Sequence, residues 1–558
     1  MNNITFTPNP SITLTEEQEK VYDELINFLK NDKEHEISLL SSAGTGKSTL
    51  ISYFINNIIK NKLCKRISIN CPTHKSLAIV KSKLFETSLT STISSNIEIM
   101  TIHRLLNYQQ YIDSNGETFY AKGKAEPNFS IYDLIIVDEC SMLSNQIIDD
   151  IETEMKKPKN AKLKIIFTGD SAQLPPVNQS ISKIFNKKIK TLTLEKIIRT
   201  NSQNIMELSN AHRKWIASNE DKDIPDLLKY KDIPDLSKYK DKNIIMYPQQ
   251  LLEKWLDKFV DYLKSQSDKT DIVINSMNNM NNNIILTWTN KKCNKYNDYV
   301  RHKMFNKKEL DKYEIGEILI FNDFHRILEV LSVEIEGEKK EDTKIISFYT
   351  SEQIKLYSIK QDKFQFERIK NLKSLDLPEN ISDKFIKTIT LINKVLINTN
   401  LDIYYMEVQK ISELKNENVP VYKILCIHNK SEIEYNKLKE YFEEQMIKLK
   451  NFCYKMIEEL ETPKNMDNSS FNMIKSDYLS IIEKKINRIW KDWQGNVIDR
   501  FAQLNYGYSI TVHKSQGSTF KNVFIDIRDI FSNYNQSEKL KCLYTAITRS
   551  SHSLELLL

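Results

Sequence analysis

Between residues 37 and 200 the apolar positions fall into short unbroken runs, separated by longer stretches with helical spacing. The runs are ISLL (37–40), RISI (66–69), LIIV (134–137), KIIF (164–167) and TLTL (191–194). A short, mostly apolar run suits a parallel strand covered on both faces. After the first run Leu50, Phe54 and Ile58 recur on one helical face. The alternation predicts a doubly wound α/β domain over 1–200.

The pattern breaks at about 105–130. NYQQYIDSNGETFYAKGK carries Asn115-Gly116 between aromatic and β-favouring residues, which predicts an inserted β-hairpin. At 218–245 KDIPDLLKY is followed by KDIPDLSKY, a local duplication read as a surface loop insertion. The Asn-rich tract around 278–283 also reads as a loop. A second α/β unit starts with IILTWTN, so 201–315 is read as the first part of a second domain. From Gly316 to about Cys426 the runs EILIF, ILEVLSVEI, KIISFYT, YYMEVQKI and VYKILCI lack helical spacing and predict a small β-barrel. Residues 430–490 read as charged helix, which completes an insertion over 316–490. The α/β pattern returns in 491–558.

Composition changes this picture little. A chain of 558 residues holds about three to four domains at roughly 150 residues each. A net charge of +6 is too weak a bias to prove a nucleic-acid partner. No run reaches the roughly 18 apolar residues of a membrane span, and the first residues lack the basic start and apolar core of a secretory signal. The seven cysteines include no C-x-x-C pair, so neither a disulfide framework nor a structural zinc site is expected. The chain reads as intracellular, with cytoplasm and nucleus not separated. Only 10 glycines are present, against a usual share of about 7%. Such a chain places glycine where the backbone demands it. Gly44, Gly46, Gly169 and Gly517 fall in three short segments with chemical character.

SSAGTGKST (41–49) follows a predicted strand and opens a helix, the context of a phosphate loop. Backbone amides around Gly44 and Gly46 face phosphate oxygens there, Lys47 reaches the β/γ-phosphates and Ser48 holds Mg²⁺. The pattern G-x-x-x-x-G-K-[ST] expects glycine at 41, and Ser41 stands there. A strained turn is expected at Ser41 if positive φ is needed. In LIIVDECSML Asp138 ends a strand beside that loop and suits Mg²⁺, while Glu139 suits activation of water. In FTGDSAQLPPV Gly169 and Asp170 make a turn, and Gln173 suits a γ-phosphate or the lytic water.

This motif order resembles superfamily 1B helicases, most of all their Dda/RecD-like branch. LTEEQ (14–18) is similar to the glutamine motif that reads adenine, CPTHKSLAIV and TIHRLL to strand-contacting motifs, and LTLEKIIRT to the segment with the first arginine finger. YSITVHKSQGSTF (508–520) resembles motif V and LYTAITRS (543–550) motif VI, whose arginine is Arg549. The resemblance implies two RecA-like domains with a pin and a barrel inserted. It implies ATP and Mg²⁺ as cofactors. It assigns ATP binding to Gln18, Gly44, Thr45, Gly46, Lys47, Ser48, Thr49 and Gln516, and metal binding to Ser48 and Asp138. Lys47, Glu139, Gln173, Arg199 and Arg549 carry catalysis, with Arg549 reaching across a cleft and Arg199 near the hinge. Strand contacts fall on Pro72, Thr73, His74, Thr101, His103, Thr511, His513, Lys514 and Ser518. Tyr111, Phe119 and Tyr120 on the hairpin are candidates to stack at a fork, Phe119 first because it lies near the turn.

The implied function is an ATP-dependent DNA helicase moving 5′ to 3′. Its partners are single-stranded and forked DNA, with single-strand-binding or replication and repair proteins, and it acts as a monomer away from membranes. Two alternatives stand. One is an RNA helicase of the same superfamily, since nothing reads 2′-hydroxyls decisively. The other is a nucleotide-dependent scaffold with weak turnover, which Ser41 favours and the two arginines oppose.

Overall fold

All five predicted strands of the first domain form, with ends within two residues of the expected ones. The computed structural model describes residues 13–86, 96–113, 117–123, 125–176, 179, 181–200, 202–219, 242–264, 283–307, 309–335, 338–369, 376–411, 419–461 and 467–558. The duplicated segment at 222–239, the turn Asn115-Gly116 and almost all of the Asn-rich tract lie outside them.

The chain divides into two compact units. One runs over Met1–Tyr108, Gly123–Leu310 and Tyr506–Leu558, and the other over Gln109–Lys122 and Asp311–Asn505. The first unit has two parallel sheets. In one the order is Ile97–Thr101, Ile67–Cys71, Leu134–Val137, Lys164–Gly169, Glu36–Ser41, Lys190–Leu194. Ile97–Thr101 is not among the predicted strands. It is the edge, half-buried along its whole length, and Glu98 on it pairs with Arg66, so its alternation never reads as a buried run. The helix Lys47–Lys60 buries Leu50, Phe54 and Ile58 completely.

The other parallel sheet has the order Ser509–Thr511, Asn283–Thr287, Phe520–Asp526, Ser550–Leu557, Ile244–Tyr247. After Asn283–Thr287 the Asp529 carboxylate accepts from the amides of Trp288 and Thr289 at 2.7 and 2.8 Å, fixing the entry to the helix Asn290–Phe305.

The second unit corrects the barrel expectation. Its main sheet is an open ladder in which Asn400–Lys410 lies between Tyr422–Ile427 and Gln353–Gln365, with Ile318–Phe321 and then Leu504–Tyr506 beyond. His325–Ile335 and Glu338–Phe348 form a separate two-stranded ribbon. Phe348 at its end stacks on Phe321, centroids 4.5 Å apart. A helix at Glu379–Asn398, unexpected from the sequence, packs on the long helix Glu432–Glu458, which packs in turn on Asn468–Trp493. Phe442 stacks on Trp493 at 3.8 Å in their shared core. The hairpin strands Tyr108–Ile112 and Thr118–Lys122 form as expected. Among the described residues no helix is long and apolar enough to cross a membrane.

Candidate functional site

In a parallel sheet every strand ends at the same edge, and side chains from the following loops meet there. Four neighbouring strands of the first sheet deliver the SSAGTGKST loop, Asp138-Glu139, Gly169-Asp170 and the segment ending in Arg199 to that edge. The loop turns at Gly44 and Gly46, with φ of +88° and +79°. A Cβ on Gly44 would lie 2.8 Å from Cβ of Arg199, and one on Gly46 2.6 Å from the Gln18 amide nitrogen. Both positions therefore need glycine for conformation and for space. Ser41 does not. It closes the strand Glu36–Ser41 in register with Leu194, is buried, and is not among the residues with positive φ. The strain expected there is absent because the turn begins later.

Gly46 caps the helix Lys47–Lys60 without any side-chain cap bond. The amides at that end, which include those of Lys47, Ser48 and Thr49, are the donors a helix leaves over, and they suit an anion. The Lys47 ammonium lies 2.5 Å from Asp138 Oδ1. Burial alone would lower the Lys47 pKa, but Asp138 and Glu139 raise it above its ordinary value. Burial would raise the Asp138 carboxyl, and Lys47, the Thr168 hydroxyl and the Glu139 amide together hold it below its ordinary value. The site thus keeps a cation and an anion charged at the mouth of the loop, which fits a nucleotide phosphate with a divalent ion held by Ser48 and Asp138. Glu139 sits in the left-handed region at φ +55°, a conformation costly for a glutamate and held by its surroundings. Gly169 is needed for space: a Cβ there would meet Cys140 Sγ at 2.6 Å.

Gln18 is buried. Its amide accepts from Thr15 N–H at 3.0 Å in a capping box and donates to the Thr45 carbonyl at 3.0 Å, so it braces the loop from behind. The Thr45 hydroxyl turns inward to Ser42 O. The Gly44 carbonyl accepts from the amides of Ile198 and Arg199 at 2.8 and 2.9 Å. Arg199 Nη1 then donates 2.7 Å to Thr548 O. Arg549, 2% exposed, donates to Thr545 O at 3.0 Å, to Ser518 O at 3.2 Å and to Thr548 Oγ1 at 3.1 Å. Burial and the neighbouring Arg549 pull Arg199 down to about 10, and burial lowers Arg549 too. Glu139, Tyr544 and Asp170 oppose both shifts. Gln173 is buried and points its amide nitrogen to Asp170 Oδ2 at 3.5 Å.

The strand-contact candidates fall into local roles. Thr73 accepts from the Ser76 amide at 3.2 Å at the start of the helix His74–Glu86, with Pro72 half-buried before it and His74 exposed. Thr101 caps Ile102–Leu105, and burial lowers His103, which sits edge-on to Tyr108. Thr511 precedes the short helix Val512–Ser515 without a side-chain cap bond. His513 lies 3.4 Å from Glu538, and burial outweighs that carboxylate in lowering its pKa. Gln516 donates its amide to His513 O, Lys514 is half-buried, and Ser518 accepts from Arg549. Gly517, at φ +77°, faces Ile79 and Ser76 of the helix His74–Glu86. On the hairpin Phe119 is 47% exposed and stacks on Tyr111 at 5.9 Å, and Tyr120 is 61% exposed.

Sequence reasoning passed over Lys75. Its ammonium donates 2.7 Å to Lys514 O, and burial together with Arg549 pulls it down to about 7. It stands inside CPTHKSLAIV, directly after the strand-contact candidates Pro72, Thr73 and His74. Tyr544 lies within LYTAITRS, ahead of Arg549, without being singled out there, and no motif marks Arg213.

Two family models match this chain: an AAA domain over residues 29–179 and a UvrD-like helicase C-terminal domain over 506–557. An uncharacterized protein of Acanthamoeba polyphaga mimivirus is 28% identical over 96% of this chain and 98% of its own. The ATP-dependent DNA helicase dda of Enterobacteria phage T4 is 24% identical over 56% of this chain and 61% of its own. Among solved structures, a Pif1 helicase from Candida albicans is 12% identical, covering 98% of this chain and 95% of that one, with a TM-score of 0.42.

Proposed function

We propose that this chain, a superfamily 1B helicase of the Dda/RecD-like type, is an ATP-dependent DNA helicase that moves 5′ to 3′ on single strands and opens duplex. The observation that carries the reading is the meeting of Arg199 and Arg549, from segments far apart in sequence, within electrostatic reach of Glu139 and with Arg199 packed against Gly44 of the phosphate loop. Two permanently charged guanidiniums beside a loop that suits phosphates are the equipment of phosphoryl transfer. Lys47 and the amides at the start of its helix would hold the phosphates. Ser48 and Asp138 would hold Mg²⁺, which neutralises phosphate charge when bound. Glu139 would orient and deprotonate the attacking water. Arg549 contacts Ser518 within motif V, so a change at the phosphate reaches a strand-contact segment through one hydrogen bond. The 5′ to 3′ direction comes from the family resemblance alone, and DNA from that resemblance and from the DNA helicase among the relatives.

The scaffold alternative loses its support, because Ser41 is an ordinary strand residue. The test is unwinding of matched partial duplexes with 5′ or 3′ tails, in DNA and RNA, with Lys47→Ala as control. Opening of 5′-tailed DNA alone is expected. Opening of RNA alone would move the function to RNA, and ATP turnover indifferent to added strand would return the scaffold.

A further inference from the structure

The buried hydroxyl of Tyr544 joins three segments that lie far apart in sequence. It donates to Asp170 Oδ2 at 2.9 Å and accepts from the Ala43 amide of the phosphate loop at 3.3 Å. Arg213 Nη1 lies 3.5 Å from the same hydroxyl and 2.5 Å from Asp170 Oδ1. Asp170 also accepts from the Ala172 amide at 3.1 Å and the Gln173 amide at 3.5 Å. A phenol offers one proton and two lone pairs, and all are engaged here. The ring packs with Ala43, Ala172, Ile216 and Leu540. Its helix, Gln536–Ile547, runs directly into the turn that holds both arginines. Thr545 O accepts from Arg549 and Thr548 O from Arg199.

We infer that Tyr544 is a positioning residue: its hydroxyl keeps the arginine-bearing turn in register with the phosphate loop and passes that register to Gln173 through Asp170. The inference rests on the ATPase reading above. Small misplacements of groups that act on phosphate cost far more rate than binding, because binding is spread over many contacts and the transition state is not. Removing the hydroxyl leaves the ring and its packing in place. It takes one partner each from Ala43 N–H and Asp170 Oδ2, while Arg213 still holds the carboxylate.

The experiment compares wild type, Tyr544→Phe and Leu540→Val for strand-stimulated ATP hydrolysis, single-strand affinity and thermal midpoint. For Tyr544→Phe a fall in kcat of about tenfold or more is expected, with KM and strand affinity within about twofold. Leu540→Val trims the same apolar cluster without touching the hydrogen bonds, so it lowers the midpoint and leaves kcat intact. The inference is overturned if Tyr544→Phe keeps wild-type kcat, or if both variants lose activity in step with the folded fraction. If wild type turns over ATP no faster than Lys47→Ala, the ATPase reading itself fails, and the inference with it.

Discussion

Lys47 and Asp138 are each other's counter-charge, 2.5 Å apart and largely out of water. A buried charge left alone is costly, so the pair is expected to separate only when phosphate and a divalent ion replace both partners. Lys47→Ala should therefore abolish ATP turnover. Arg549→Ala should behave differently, because its three hydrogen bonds go to Thr545, Thr548 and Ser518 and none to the phosphate loop. Nucleotide binding should persist while hydrolysis falls by about 10³-fold, the scale of an arginine finger. Fluorescent-nucleotide titration beside steady-state turnover separates the two, and normal hydrolysis by Arg549→Ala would sink the arrangement. Most of these residues are legible in the sequence because their motifs are contiguous. What the sequence hides at this scale is the second duty of a residue. Thr73 and Thr101 cap helices, so Thr73→Ala or Thr101→Ala changes helix stability as well as any strand contact.

At the scale of elements, patterning succeeds where apolar spacing and local propensity agree and fails where they part. The long helix Glu432–Glu458 buries Tyr435, Leu438, Phe442, Met446, Leu449, Cys453 and Ile457 at three-to-four residue steps, and its charges lie on the other side. Glu379–Asn398 is missed because Ile, Thr and Val crowd it and read as β; packing of Ile381, Phe385, Ile389, Ile392 and Leu396 overrides that propensity. Gln353–Gln365 is missed for the opposite reason, since its later half is mostly exposed and charged. The hairpin is the legible element whose role most needs a test. Phe119 and Tyr120 stay exposed on a two-stranded ribbon that has little core of its own to fill. Phe119→Ala is expected to slow unwinding of forked duplex while leaving single-strand-stimulated ATP hydrolysis within about twofold, because a lost stack of about 1–3 kcal/mol acts only where bases are parted. Equal loss in both assays would place Phe119 in folding rather than at the fork.

At the scale of the whole molecule the sequence says least, because the decisive contacts join residues hundreds of positions apart. Lys75 to Lys514, Asp170 to Tyr544 and Arg199 to Thr548 are invisible to any local pattern. The same long-range burial sets a dependence on pH. His212 in the first unit is fully buried and His325 in the second is 6% exposed. Burial lowers both from the ordinary 6.5 to about 4. Between those values the unfolded chain binds a proton at each histidine and the folded chain does not, so protonation favours unfolding. Stability from this source is intact above about pH 6.5, is lost as pH falls, and reaches its floor near pH 4. Burial also lowers His103 and His513 of the first unit, so both units carry histidines of this kind, and denaturation of both should shift to lower urea as pH falls, even if they unfold in separate steps. Urea titrations at several pH values between 4 and 7, followed by tryptophan fluorescence, measure the shift. His212→Leu should reduce the pH dependence of the first unit's transition and leave the second's unchanged, while His325→Phe should reduce the second's and leave the first's unchanged. An undiminished pH dependence in both variants would overturn the assignment to His212 and His325 and move acid lability to groups such as Asp138, whose lowered pKa also makes protonation favour unfolding.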